Sequence, residues 1–412
     1  MEVAVESHES LPTLPRGRVE AESVPTHEEL VARAHALGPR LRERSAAACA
    51  ARQLPRETIA DFIEAGFFRI LQPKAWGGYE HKPQVFFDVQ MTIGSYCPSS
   101  AWVLGVVGVH QWQLALFDVR AQEEVWGRDN RVLISSSYMP VGKVTRVEGG
   151  YRLSGRWGFS SGSEHCDWAF LGAFVPGLDG KPPDMRTFLV PKGDYRIEDT
   201  WHVSGLKATG SNDVVIDDCF VPEYRTHRFA DGFTRRNPGQ VLNTGTLFRI
   251  PFGQLFVRSV STTSIGILAG AIASFKEVAM KRVSRADGQR TVEDTHAQVA
   301  LARASSTLDE LKLVLRRNMD VLWEAAEADR DLPMEQRVAF RLDSSMVVDK
   351  TLPAIDALFT AMGGSAIFVS NPINGFFQDI HTARAHYANN PDKPARNLGG
   401  VMLEQKTTDY FL

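Results

Sequence analysis

Apolar residues along this chain follow three successive rhythms. From Thr26 onward, Leu30, Ala34, Leu37 and Leu41 recur at helical spacing, and Thr26 with Glu29 three residues later has the form of a capping box, so a helix is predicted to start there. A second start at Pro55 places Ile59, Phe62 and Ile63 on one face, with Gly66 at its end, where a residue lacking Cβ tolerates the left-handed turn that stops a helix. Two more apolar helices follow, reaching to about Asp118. From Val132 the rhythm becomes alternation. Lys143 to Glu148, the pair Gly149-Gly150 and Tyr151 to Trp157 make a two-residue hairpin signal. Strand-like runs at Trp168 to Val175, Arg186 to Pro191 and Val214 to Pro222 complete a block predicted to be a small antiparallel barrel or sandwich. After Val241 the helical period returns in long runs, Phe252 to Arg282, Glu293 to Arg330 and Glu335 to Met362, with a shorter one after Gly375, which argues a helical bundle. The expected blocks are a flexible tail over 1–24, helices over 25–130, the β module over 131–228 and the bundle over 229–412.

Composition narrows the chemistry. A chain of 412 residues with 43% hydrophobic and 23% charged residues is globular, of two or three domains. Its net charge of −3 provides no field for polyanions, so nucleic acid and membrane surfaces are poor partners and small molecules good ones. Cys49, Cys97, Cys166 and Cys219 are dispersed without a C-x-x-C pair, which argues against a zinc knuckle or disulfide framework and points to a reducing cytoplasm. The acidic start (Glu2, Glu6, Glu9) does not read as a signal peptide, and the most apolar stretch, Ala101 to Phe117, is shorter than a bilayer span. Neither a dinucleotide fingerprint nor a P-loop occurs, and Ser135-Ser136-Ser137 lacks the glycines of a nucleophile elbow. Glu164-His165-Cys166-Asp167 offers four ligand types, but neighbours on an extended chain point to opposite faces, so no metal site is expected.

The order of helices, β module and bundle resembles the acyl-CoA dehydrogenase architecture, mainly α with a central β-barrel and a C-terminal four-helix bundle. Four segments carry the likeness: Trp157-Gly158-Phe159-Ser160-Ser161-Gly162-Ser163, Gly205 to Asp213, Trp76-Gly77-Gly78-Tyr79, and Ala361 to Ala366. A dehydrogenase of that family draws its catalytic carboxylate from a late Glu-Gly-Thr motif. Here the stretch from Phe377 to Asn390 contains no glutamate and instead holds His381 and His386. That departure, with Cys97 to Val103, Val109-His110-Gln111 and Ser135-Ser136-Ser137, is similar to the two-component flavin monooxygenases, the group of the oxygenase component of p-hydroxyphenylacetate 3-hydroxylase.

The resemblance implies dioxygen and a diffusible reduced flavin, FMNH2 in preference to FADH2, supplied by a separate NAD(P)H-dependent flavin reductase. It also implies a C4a-hydroperoxyflavin, a phenolic or polycyclic aromatic substrate, and a homotetramer. The alternatives are an acyl-CoA dehydrogenase-type flavoprotein, or the same oxygenase chemistry on nitrogen, sulfur or an indole carbon. Ser161 is then the candidate hydrogen-bond partner of flavin N5. Trp157 and Phe159, two apart on an extended segment, are expected to share a face and wall the flavin ring, the other reading of Trp157 being an aromatic of the barrel core. Ser160 and Gly162 complete that motif. Ser211 and Asn212 would hold the flavin phosphate or pyrimidine edge, or simply form a strand-entry turn. Arg258 would meet the anionic flavin or its phosphate, or serve a helix surface or subunit interface. On the substrate side, His386 is the candidate base or hydroperoxide partner. His110 and Ser136 would bind the substrate hydroxyl, with a core histidine as the other reading of His110. His381, about 140° from His386 if both lie on one helix, is assigned a structural role.

Overall fold

The computed structural model describes residues 23–178, 180–283, 288–407, 409 and 411–412, so residues 1–22 of the expected tail lie outside the described residues. The N-terminal helices are α1 (His27–Ala51), α2 (Arg56–Glu64), α3 (Pro83–Gly94), α4 (Pro98–Leu114) and α5 (Val119–Trp126). The capping box forms as expected: the Thr26 side chain accepts from the Glu29 N–H, and the Glu29 carboxylate accepts from the Thr26 N–H at 2.7 Å. Gly66, at φ +79, follows α2. Helix α4 is buried along its whole length and forms the floor on which the β module rests.

The module is one seven-stranded sheet of β1 (Ile134–Val147), β2 (Gly150–Ser160), β3 (Trp168–Val175), β4 (Asp184–Pro191), β5 (Arg196–Glu198), β6 (Asn212–Pro222) and β7 (Thr226–Arg228), in the order β5-β6-β2-β1-β3-β4-β7. It is mixed, which corrects the antiparallel expectation: β1 and β3 pair in parallel. Strand β1 reverses into β2 at Gly149, and β2 is connected across to the opposite edge of β1, where β3 must run in the direction of β1. The inner face, with Tyr151, Leu153, Trp157, Leu171 and Phe188, packs a separate small core. Gly142 is required there, because a Cβ would stand 2.6 Å from the Trp157 ring and 2.8 Å from the Ala173 Cβ.

The C-terminal part holds α6 (Phe229–Thr234), α7 (Phe252–Ala279), α8 (Thr295–Glu327), α9 (Met334–Ala361), α10 (Pro372–Arg384) and α11 (Asp392–Met402). Helix α7 packs against α3, α4, α8, α9 and α10, which explains why it is apolar all round. It is the one described helix long and apolar enough to cross a bilayer, and most of it is buried within the molecule. Helix α10 ends at Arg384, so His386 lies beyond it and caps the short turn Tyr387–Asn389. The single-helix angle expected between His381 and His386 therefore does not apply. His381 stays on the helix surface, 3.0 Å from the Asp356 carboxylate.

Candidate active site

Between the sheet and the helices lies a cavity of about 1410 Å³, larger than the ~300–1,000 Å³ of a pocket for one small ligand. Ser136, Phe159, Ser161, Ser211 and His386 all line it. Two motifs far apart in sequence meet there because β2 and β6 are paired, with Ser160 opposite Asn212, and because the Gly162 N–H donates to the Thr209 carbonyl at 2.8 Å. Ser161 Oγ accepts from the Trp102 indole at 3.1 Å and lies 2.7 Å from Ser211 Oγ, which lies 2.7 Å from Thr209 Oγ1. The indole has no acceptor to offer, so the Ser161 proton is free for Ser211 or for a ligand.

A second group of cavity residues is aromatic. Tyr138 packs edge-on against Phe229 and Phe256, and Phe411 stacks on Phe229. Phe159 meets Trp201 edge-on at 6.1 Å. Among the described residues of the wall, the carboxylates Asp184 and Asp409 face Arg186 and Arg228, and Lys393, respectively.

His386 joins the two groups of polar and aromatic residues, its ring centred 5.5 Å from that of Trp102. Its Nδ1 accepts from the Ala388 N–H at 3.0 Å, so the hydrogen-bond pattern assigns the proton of the neutral ring to Nε2. Burial and the Arg341 charge push the ring's pKa down to about 4, which keeps it neutral at physiological pH.

Residues 259–391 match the family model described as acyl-CoA dehydrogenase, C-terminal domain. Over 362 residues, 88% of this chain and 94% of the relative, the chain is 40% identical to the flavin-dependent monooxygenase oxygenase subunit HsaA of Rhodococcus jostii strain RHA1. The chain belongs to this family of oxygenase subunits. Its fold matches the crystal structure of 3-HSA hydroxylase from Rhodococcus sp. RHA1 with a TM-score of 0.90 and 38% identity, covering 94% of this chain and all (100%) of that one. It matches XiaF from Streptomyces sp., solved in complex with FADH2 and glycerol, with a TM-score of 0.85 and 28% identity over 93% of this chain and 97% of that one.

The oxygenase cavity fits a flavin: it pairs hydroxyls with aromatic faces, and the neighbouring buried hydroxyls of Ser160 and Ser163 have no partner among the described residues. Gly162, at φ +70, turns the chain between them. The other expected site residues lie off the cavity wall. Trp157 and Phe159 do not share a face: the register slips between Trp157 and Ser160, Phe159 adopts φ +65, and it is 62% exposed while Trp157 is 0% exposed. Trp157 belongs to the core of the β module, its other expected place, and donates to the Gly172 carbonyl at 2.8 Å. Asn212 turns inward, its Oδ1 accepting from the N–H groups of Thr200 and Trp201 at 3.1 Å each. His110 is buried behind the wall, Nδ1 donating to the Ile134 carbonyl at 2.6 Å and the ring stacked on Phe256. Arg258 is buried in α7 with both terminal nitrogens unpartnered among the described residues, and burial lowers its pKa to about 10.

Trp102, Trp201 and Tyr138 also line the cavity, with no role expected of them from the sequence. Trp102 and Val106 are four apart on α4 and both reach the cavity, a helical-face signal that an apolar helix buried on every side conceals.

Proposed function

We propose that the cavity holds a reduced flavin beside a phenolic or polycyclic aromatic substrate, and that the enzyme inserts one atom of dioxygen into the aromatic ring, the other leaving as water. The supporting observation is the volume of about 1410 Å³, which accommodates two molecules, divided between a hydroxyl-rich wall and an aromatic one. The bound flavin supplies the electrons that activate dioxygen. Everything else falls to the chain. Ser161 Oγ–H, oriented by the Trp102 indole, donates to or accepts from the flavin edge, and Ser211 extends the same hydroxyl run. Trp102, Phe159 and Trp201 exclude water from the reacting centre. Tyr138, Phe229, Phe256 and Phe411 enclose the substrate ring through edge-to-face contacts, and Ser136 accepts the substrate hydroxyl proton in a hydrogen bond that makes the ring more electron-rich. His386 donates from Nε2 to the oxygen being transferred, the second of the two roles expected for it, in preference to that of a base.

The flavin arrives from a separate NAD(P)H-dependent reductase. Of the two flavins, FMNH2 is the one expected, and the similar structure with FADH2 makes that flavin the competing arm of an anaerobic titration. We also assign a homotetramer formed through the bundle, where Ile367, Phe368 and Val369 are 65%, 62% and 92% exposed; light scattering reads it. The four free thiols suit a reducing cytoplasm.

The test supplies prereduced flavin and ¹⁸O₂ to the protein with a panel of phenols. One labelled oxygen in the product, with little peroxide, is expected. Stoichiometric peroxide and no product across the panel refutes the reading.

A further inference from the structure

Leu206 is a leucine in a conformation that leucine avoids. Its φ is +48, it is 2% exposed, and it lines the cavity. A Cβ makes this left-handed region costly, so the residue must be held there from outside. Both of its backbone groups are engaged. The carbonyl accepts from Trp201 Nε1 at 3.1 Å and from Thr209 Oγ1 at 3.0 Å, both within the same loop. The N–H donates to Asp379 Oδ1 at 2.5 Å, and Asp379 lies on α10, 173 residues further along. Next to it, Gly205 is pressed onto the same helix: a Cβ there would run into the Gln378 carbonyl oxygen and stand 2.6 Å from Thr382 Oγ1.

The Asp379 carboxyl accepts from the Leu206 N–H, and the groups whose charges act on it or feel its charge are Lys207 from the loop, Cys49 from α1 and Cys97, the residue before α4. Its dry surroundings push it up to about 6, against the pull of the Leu206 N–H and Lys207.

We propose that Asp379 is a positioning residue of the flavin wall: its carboxylate holds the Leu206 N–H, keeps residues 205–211 folded against α10, and so sets Ser211 beside Ser161. This rests on reading the cavity as a reduced-flavin site. Asp379 does not line the cavity and acts only through the loop. Because α10 also carries Thr382 and leads to His386, one carboxylate ties the hydroxyl wall to the element that presents the histidine. The strain identifies the partner of the test. Glycine at position 206 adopts φ +48 without penalty, so in that background the N–H bond to Asp379 remains but has less strain to offset.

Anaerobic titration with photoreduced FMN and FAD, read by absorbance, gives Kd for the wild type, D379A, L206G, the double variant and D379N. D379A is expected to weaken binding by about 5- to 30-fold, the factor carried by one contact of ordinary strength. In the L206G background the same substitution is expected to cost a factor smaller by about two-fold or more, as befits coupled residues. Equal losses in both backgrounds, or no loss in either, overturn the proposal. Should D379A fail to fold, D379N retains a neutral acceptor for the Leu206 N–H. Wild-type affinity then falls as pH drops from about 7.5 to about 5, while that of D379N follows only the titration of the flavin itself. Parallel profiles overturn the proposal. A wild type that binds no reduced flavin overturns the reading of the cavity as well, whereas normal binding with indifferent Asp379 variants overturns this inference alone.

Discussion

Substituting His386 separates a hydrogen-bond donor from a base. With Nδ1 taken by the Ala388 N–H, the neutral ring carries its proton on Nε2, and a base would have to accept a second proton onto a ring whose pKa lies near 4 rather than 6.5. That depression amounts to roughly 3 kcal/mol of lost proton affinity. A donor gives up nothing, because the neutral ring already points an N–H at the cavity. Removal of one preorganised donor costs about 10²- to 10³-fold in kcat, so H386A should lose that factor in product formation while peroxide release rises. H386Q, whose amide also has an N–H, should recover part of it. The assay is single-turnover product yield with prereduced flavin, over phenols whose pKa runs from about 10, that of tyrosine, down to about 7. A donor's absence is felt equally across that series. A base's absence is felt less as the phenol ionises unaided, so a loss in H386A that disappears for the most acidic phenols refutes the donor role.

Three further outcomes follow from the structure. His110 and His227 are buried, with pKa values pushed down to about 4 from 6.5 by desolvation. The unfolded chain therefore binds their protons first, and the stability they contribute is full above about pH 6.5 and falls towards pH 4, by up to roughly 3 kcal/mol each. Urea unfolding at several pH values should show this, and H227Q should flatten the curve; an unchanged slope in H227Q contradicts the account. Gly142→Ala drives a methyl group into the Trp157 ring and should destabilise the protein by about 1–3 kcal/mol, read as a lowered Tm, with an unaltered melt counting against the close packing described. Arg258→Met replaces a buried charge whose terminal nitrogens have no partner among the described residues, and should be neutral or stabilising by about 1–4 kcal/mol with reduced-flavin affinity unchanged. Loss of that affinity would restore a flavin-binding role to the guanidinium.

What could be read from sequence follows the range of each interaction. The capping box at Thr26, the stop at Gly66 and the limits of β3 each depend on residues within a few positions of one another and formed where the pattern placed them, while the hairpin formed with its two-residue turn one position earlier, at Glu148-Gly149, because Gly150 pairs with Val147. The flavin-site motifs were legible as a resemblance, and Ser161 and Ser211 do lie side by side. His386 reached the cavity too, but its tautomer depends on where α10 ends, which helical spacing alone did not reveal.

The sequence by itself determined the order of helical, β and helical blocks and the family to which the chain belongs, because hydrophobic periodicity and short motifs are properties of neighbouring residues. Only the tertiary structure decided that β1 and β3 run parallel, that Phe159 leaves the face of Trp157, that Trp102 and Trp201 reach the cavity, and that Asp379 grips Leu206. Each of these is a contact between segments far apart in the chain, or a backbone conformation such contacts impose. A left-handed leucine or phenylalanine is unfavourable locally and exists only where distant packing and hydrogen bonds outweigh its strain, so its own neighbours in sequence do not announce it.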